Sequence, residues 1–403
     1  MTSRRPKRTD QVADQPVAPR HIVGVPSWYR SARGSGGGYF RDQALALQAS
    51  GYRVAMLAPD IYTPRDLHHG RVPPQFGREV RVEDDGIPTW RRETLVLAPR
   101  LPYRNAAMLA LCGLQLFARY RAQHGMPDLV QAHSMLNAGV VALAIKRRYG
   151  VPFIVMEQNT AFALGRLRWW ERDLVRRVIA GARQLIAVSP GLAELLQGQY
   201  PGSSWDYLPN PLGAAFVADN PGPERRDAAQ PFVFLSAARM TPEKGHALLI
   251  EAFAEAFGGD PGSRLVLAGD GPMQPQLIAL CRERGVAAQV DFPGLLSSSQ
   301  VRDAMEACDA FVLASDVETF GVVVIEALAC GRPVVVTASG GPDHLVTAAN
   351  GLLIPTANLP ALRDALILMR RRAAGYDRAA IRADALRNYG PAAFARRFAE
   401  IVG

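Results

Sequence analysis

Lysine is nearly missing from this chain. Among 403 residues it occurs only as Lys7, Lys146 and Lys244, although Lys and Arg together number 46. Cysteine is also scarce: Cys112, Cys281, Cys308 and Cys330 are scattered, with no C-x-x-C spacing, which argues against a zinc site or a disulfide framework. No apolar run reaches the ~20 residues that span a bilayer; the longest, 106–118, falls short. Residues 1–19 are polar and basic without an apolar stretch, and read as a loose tail, not a signal peptide. The first strand-to-helix turn lacks a true G-x-G-x-x-G, which speaks against a dinucleotide oxidoreductase. The arginines form no aromatic-interleaved run within a recognition module, so a nucleic-acid partner is not expected. What remains is a globular chain with 48% hydrophobic residues and a net charge of +9, suited to anionic partners. Its expected location is the cytoplasm.

The length suggests about two or three domains. Short β-branched runs alternate with helical patterns from residue 21 onward. Strands are expected at 21–26, 52–59, 129–133, 152–158 and 184–189, and again at 232–238, 264–269, 290–292, 310–314 and 333–337. Most are continuously apolar, as parallel strands covered on both faces should be. Helical patterns at 39–50, 137–149, 245–257, 300–307 and 320–329 separate them. The expected fold class is α/β, with two doubly wound Rossmann-like domains facing across a cleft. The stretch Pro209-Asn-Pro211 and the polar residues 218–230 form the best linker. The expected division is therefore a tail (1–19), a first domain (20–215), a second domain (216–375) and a C-terminal helix (376–403) packing toward the first domain.

Chemistry concentrates at strand carboxyl ends. After the strand at 310–314 comes Ser315-Asp-Val-Glu318-Thr-Phe320-Gly321, and then Glu326 inside a helix. Gly321 at the helix start leaves backbone N–H groups free for an anion. Glu318 and Glu326 can grip hydroxyls through paired acceptor oxygens. A ligand with both hydroxyls and phosphates, such as a nucleotide-sugar, fits that combination. Arg239 and Lys244 follow the strand at 232–238 and put two cations at the sheet mouth, where they could neutralise a diphosphate. Gly269-Asp-Gly-Pro272 and Asp291-Phe-Pro-Gly294 are further turns at the same edge. In the first half, Gly36–Gly38 would let a phosphate approach the backbone, and His133 ends an apolar strand at the cleft.

The order Arg239/Lys244-Gly245, Gly269-Asp-Gly-Pro272, Phe292-Pro-Gly294 and Glu318-x7-Glu326 resembles the donor-binding domain of glycosyltransferase family 4. The first half resembles the family too, in Pro26-Ser-Trp-Tyr29, Gly36-Gly-Gly-Tyr39, Gln131-Ala-His133-Ser and Met156-Glu157-Gln158-Asn159. The resemblance implies a GT-B fold and retaining, metal-independent transfer of a hexose from a nucleotide-diphosphate sugar to a glycan or lipid-linked acceptor. Arg239 and Lys244 would hold the diphosphate, faced by Gly37 and Gly38. Glu318, with the N–H groups of Phe320 and Gly321, would bind the sugar, His133 its far side and Glu326 the ribose. Gly294 would lie beside the base, and Glu157, Gln158 and Asn159 on the acceptor side. No cofactor or metal is implied. The sequence departs from the family pattern at Gly340-Gly-Pro-Asp-His344 and at Glu157-Gln158-Asn159. A nucleotide-sugar 2-epimerase of the same fold, and a basic nucleic-acid- or membrane-binding protein without catalysis, are the competing readings. The arginine-rich segments 100–121 and 164–183 mix Tyr103, Trp170 and Leu174 with cations, and three readings stay open for them: peripheral contact with the anionic inner membrane face, a hold on a lipid diphosphate acceptor, or ordinary surface helices whose Leu and Trp face the core.

Overall fold

The structure is a computed structural model, and it describes residues 20–29, 37–65, 77–96, 101–218 and 230–403. The expected tail at 1–19, Gly36 and most of the polar linker lie outside the described residues. Among the described residues there are two sheets. The first contains β1 (His21–Pro26), β2 (Arg53–Tyr62), β3 (Glu79–Asp84), β4 (Ile87–Leu95), β5 (Leu129–His133), β6 (Phe153–Glu157), β7 (Gln184–Ala187) and β8 (Asp206–Tyr207), in the order β3-β4-β2-β1-β5-β6-β7-β8. The second contains β9 (Phe232–Ala237), β10 (Ser263–Ala268), β11 (Val290–Gly294), β12 (Ala310–Leu313), β13 (Val334–Thr337) and β14 (Gly351–Ile354), in the order β11-β10-β9-β12-β13-β14. Counted within its own sheet, the second order is 3-2-1-4-5-6, the doubly wound Rossmann arrangement. This is the GT-B architecture.

Every pairing is parallel except β3 with β4, which is antiparallel. β5, β6, β12 and β13 are buried along their whole length, which explains the unbroken apolar sequence of β12 and the apolar runs of β6 and β13 up to their last residues, while β5 buries Gln131 and His133 as well. β3, by contrast, alternates exposed and half-buried residues at the sheet edge. That alternation, in Glu-Val-Arg-Val-Glu-Asp, carries little apolar signal, and neither β3 nor β4 is expected from the sequence.

One apolar core runs through both halves, from Val23 and Phe40 to Phe311, Phe320 and Ile325. A second, around Phe234, Phe253, Phe257 and Leu265, fills the other face of the second sheet. The C-terminal segment is two helices, Arg378–Tyr389 and Pro391–Val402. Pro391 lacks the N–H that would continue the first, so the chain breaks at Gly390 and starts again. The last helix packs on the helix Gly38–Ala49 of the first half, with Phe398 edge-on to Tyr52 at 6.0 Å. Its carbonyl at Val402 accepts from Arg183, 3.1 Å away.

Candidate functional site

In each sheet the strand order reverses beside the first strand, between β1 and β5 and between β9 and β12. Ligands in open α/β sheets bind outside the strand carboxyl ends at such points. Here the two reversal points face each other across a cleft with two chambers. The larger, about 700 Å³, is lined by Trp28 and Asn137 from the first half and by Arg239, Asp270, Leu296 and Glu326 from the second. The smaller, about 300 Å³, is lined by Gln158, Asn159 and Asn210 on one side and by Lys244, Glu318 and Gly321 on the other. Arg239 and Trp28 line both.

Local sequence fixes these positions. Lys244 ends a short 3-10 turn that starts at Pro242 and is stopped by Gly245 in a left-handed conformation (φ 67°). A β-carbon on Gly245 would lie 1.9 Å from the carbonyl oxygen of Ala314, so the turn closes against the end of β12 only with glycine there. Lys244 Nζ thereby reaches Glu318 Oε1 at 2.5 Å, and Ser315 Oγ donates to the same oxygen at 3.1 Å. Arg239 is exposed and has no ion-pair partner among the described residues. Gly321, also left-handed (φ 89°), caps the helix Val322–Ala329, whose first N–H groups point toward the smaller chamber that Phe320, Gly321 and Val322 line. Four residues into that helix, Glu326 borders the larger chamber. Burial, and secondarily the charge of Asp42, push its carboxyl up to about 8.

The structure therefore gathers Arg239, Lys244, Glu318, Phe320, Gly321 and Glu326 around one cleft, with Gln158 and Asn159 opposite. Other expected residues stand elsewhere. Glu157 is fully buried and lines neither chamber. Its Oε1 accepts from the N–H groups of Gln158 and Asn159, both at 2.8 Å, and its Oε2 from Ser134 Oγ at 3.0 Å and Met135 N at 2.7 Å. All its acceptor capacity is turned inward, so the acceptor-side placement is corrected to a brace. It holds the loop after β5, where Ser134 has φ 93°, against the loop after β6. His133 is 1% exposed and lines neither chamber. Its ring packs on Phe40 at 4.6 Å, neither nitrogen has a partner among the described residues, and burial pushes its pKa down to about 3. Gly37 caps the helix Gly38–Ala49 with φ 86°, and a β-carbon there would lie 2.7 Å from the carbonyl oxygen of Trp28. Gly294 accepts from Gly269 N at 2.8 Å and sets Leu295 and Leu296 along the larger chamber.

Some site residues carry no distinct signal in the sequence. Asn210 was legible only as part of a linker, yet it lines the smaller chamber. Thr319 donates from Oγ1 to the Gln158 carbonyl at 3.0 Å and joins the two halves there. Tyr207 and His344 make another such joint, with 2.8 Å between Oη and Nε2.

Comparison with known proteins matches this geometry to a family. Residues 34–212 match the glycosyl transferase 4-like domain, and residues 223–381 match glycosyl transferases group 1. Over 303 residues the chain is 30% identical to the D-inositol 3-phosphate glycosyltransferase of Frankia alni, covering 66% of this chain and 74% of that protein. The chain belongs to the group 1 glycosyltransferases. To the D-inositol 3-phosphate glycosyltransferase of Actinosynnema mirum this glycosyltransferase-family chain is 32% identical over 62% of its own length, and it spans 66% of that protein, just under two thirds. Among solved structures it resembles a sucrose-phosphate synthase from Thermosynechococcus elongatus, with a TM-score of 0.73 and 20% identity over 94% of this chain and 98% of that one. Anabaena HepE in complex with UDP aligns with a TM-score of 0.70 and 19% identity over 94% and 98%. These two likenesses bear on the fold.

Proposed function

We propose that this group 1 glycosyltransferase moves a hexose from a nucleoside-diphosphate sugar to a glycan or lipid-linked hydroxyl, with retention at the anomeric carbon. One observation carries the reading: Arg239 and Lys244 converge on the same cleft as Glu318, Glu326 and the open helix start at Gly321. The cations would bind the diphosphate, Glu318 and the adjacent N–H groups the sugar, and Glu326 the ribose. The bond from the anomeric carbon to the diphosphate breaks as the acceptor oxygen bonds to that carbon on the same face. The acceptor proton passes to the leaving phosphate oxygen, whose growing charge Arg239 and Lys244 stabilise. These two cations take the place of a metal, so EDTA should leave turnover unchanged.

The first experiment is a thermal-shift panel of UDP-, GDP- and ADP-sugars. A ligand at a hundred times its Kd stabilises by ~2.7 kcal/mol, and silence across the panel would end the proposal. Product anomer assignment by NMR then separates retention from inversion, and recovery of an epimerised nucleotide-sugar would point to the epimerase instead.

A specific surface favours work at the inner face of a membrane. Among the described residues, Leu101, Leu111 and Trp169 are exposed large hydrophobics. A groove of about 380 Å³ lies between the helices Arg104–His124, Ala138–Tyr149 and Trp169–Gly181, the first and last of which carry Leu111 and Trp169. Leu114, Val140 and Leu174 line it, rimmed by Arg147, Arg148 and Arg177. By name, one similar protein, from Corynebacterium glutamicum, is a GDP-mannose-dependent monoacylated phosphatidylinositol monomannoside mannosyltransferase.

A further inference from the structure

The turn that holds Glu318 is tied to the loop at residues 339–344. Glu318 N donates to the Ser339 carbonyl at 3.2 Å, and Gly341 N donates back to the Glu318 carbonyl at 3.0 Å. A β-carbon on Gly341 would overlap the carbonyl carbon of Thr319 and the nitrogen of Phe320, so the loop backbone lies directly against the 319–320 peptide. Packing this close leaves no slack. A displacement of residues 339–341 displaces Glu318 and the Phe320 N–H with them.

The same loop meets the first half at Gly191 and at Tyr207. A β-carbon on Gly191, in the first turn of the helix Pro190–Gln199, would overlap the carbonyl oxygen of Gly340. The two backbones can stand this close only with glycine at 191. Further along, His344 Nε2 lies 2.8 Å from the hydroxyl of Tyr207, the last residue of β8. The His344 ring is perpendicular to that of Tyr207, with 5.3 Å between centroids, and lies 6.1 Å from the Phe320 ring. One imidazole thus neighbours both the first half and the turn. The two contacts do different work. Backbone against backbone sets a distance, and the directional hydrogen bond sets a lateral position. Residues 340–344 also depart from the family pattern, so these contacts belong to this chain.

We infer that Gly191, Tyr207 and His344 are positioning residues for the transfer reaction. Through the loop at 339–344 they set where Glu318 and the Phe320 N–H stand relative to the first half. The inference rests on the transferase reading and adds to it. None of the three lines either chamber, so their effect on a nucleotide-sugar passes through the turn. A methyl group at position 191 must push Gly340 back by about 1 Å to reach ordinary carbon–oxygen contact. A shift of that size costs up to about a hundredfold where bound geometry matters. The nucleotide, held by Arg239 and Glu326, is spared, and the sugar is not.

The test is calorimetric titration of the full chain with UDP, GDP and ADP, and with the glucose and mannose conjugate of each, without acceptor. The quantity read is the ratio of affinities for the conjugate and its bare nucleotide. Gly191 lies within a helix and has no positive φ, so alanine suits its own backbone and disturbs only the contact with Gly340. Gly191→Ala should lower the ratio by about tenfold while the bare-nucleotide Kd stays put. Tyr207→Phe and His344→Phe keep the rings and remove the hydrogen bond, and each should lower the ratio about fivefold. His344→Gln, whose amide can still bond the Tyr207 hydroxyl, should restore most of that loss. A merely structural role would lower Tm and leave the ratio alone. If Gly191→Ala does not fold, Tyr207→Phe decides. An unchanged ratio in either of those two variants, or an equal loss for nucleotide and conjugate, overturns the inference and leaves the transferase reading standing. A wild-type chain that binds none of the nucleotides or conjugates overturns both.

Discussion

Lys244 Nζ lies 2.5 Å from Glu318 Oε1, and both side chains are mostly buried at the cleft. Each therefore serves as the other's partner before any ligand arrives, and an entering diphosphate would share the lysine with the carboxylate. Removing either partner leaves the other charge poorly compensated, and removing both does not. Lys244→Ala should lower kcat by about a hundredfold, corresponding to ~3 kcal/mol of transition-state stabilisation. The double variant with Glu318→Gln should lose less than the two single effects combined, with a coupling of about 1–3 kcal/mol. Strict additivity in turnover would show that the pair does not act as a unit.

Glu326 gives the site a pH dependence. Its carboxyl is raised to about 8, first by burial and then by Asp42, so it is largely neutral at pH 7 in the folded chain and ionised in the unfolded one. Stability is therefore lost progressively as pH rises from the unfolded value through about 8, because the unfolded state releases its proton first. Glu326→Gln should raise the Tm at pH 8 and leave it unchanged near pH 4. Ribose hydroxyls bind the ionised form better, so nucleotide affinity in the wild-type chain should rise between pH 7 and 9. The Gln variant should show a flat profile, and a parallel rise in both would remove Glu326 from the ribose site.

Glu157 makes the opposite case, a carboxylate in a family motif whose role is to hold shape. Two donors meet each of its oxygens. Glu157→Gln turns one oxygen into an amide nitrogen; with that nitrogen toward Ser134, whose hydroxyl can accept, the Met135 N–H is stranded, at a cost of about 1–3 kcal/mol. Urea unfolding should show a lower midpoint with an unchanged slope, while nucleotide affinity of the folded protein changes little. A variant of normal stability with impaired transfer would restore Glu157 to the acceptor side.

These cases show what the sequence carries. Continuous apolar runs such as those of β12 and β13 mark strands buried on both faces, and the residues just beyond strand ends, Arg239, Lys244 and Glu318, mark the cleft. Those signals are local, so they survive in one dimension. The edge hairpin of β3 and β4 is half solvated, and its alternation resembles a polar loop. A series of hydrogen-bonded side-chain amides joins residues 43, 131, 158 and 210, none of which is unusual in its own neighbourhood. His133 shows the reverse error. A motif puts it at a strand end near the cleft, but tertiary packing against Phe40 decides whether the ring reaches it.

The arginine-rich face can be separated from the cleft experimentally. Segments 101–124, 138–149 and 164–183 hold twelve Lys and Arg against Glu171 and Asp173, a larger local imbalance than the rest of the chain supports. Asp173 is paired with Arg177 at 2.8 Å, which leaves still less negative charge to offset the others. Each cation near an anionic surface contributes about 1 kcal/mol, an attraction that salt weakens within a Debye length. The exposed side chains of Leu111 and Trp169 would add an apolar component that salt does not weaken. Sedimentation with vesicles rich in phosphatidylglycerol should therefore capture the protein at low salt and release most of it at high salt, while pure phosphatidylcholine captures little. Leu111→Glu combined with Trp169→Glu should weaken capture about tenfold without lowering Tm, since both side chains already face solvent. Capture that ignores both lipid charge and these substitutions would dismiss this face as a membrane surface and leave the cleft chemistry untouched.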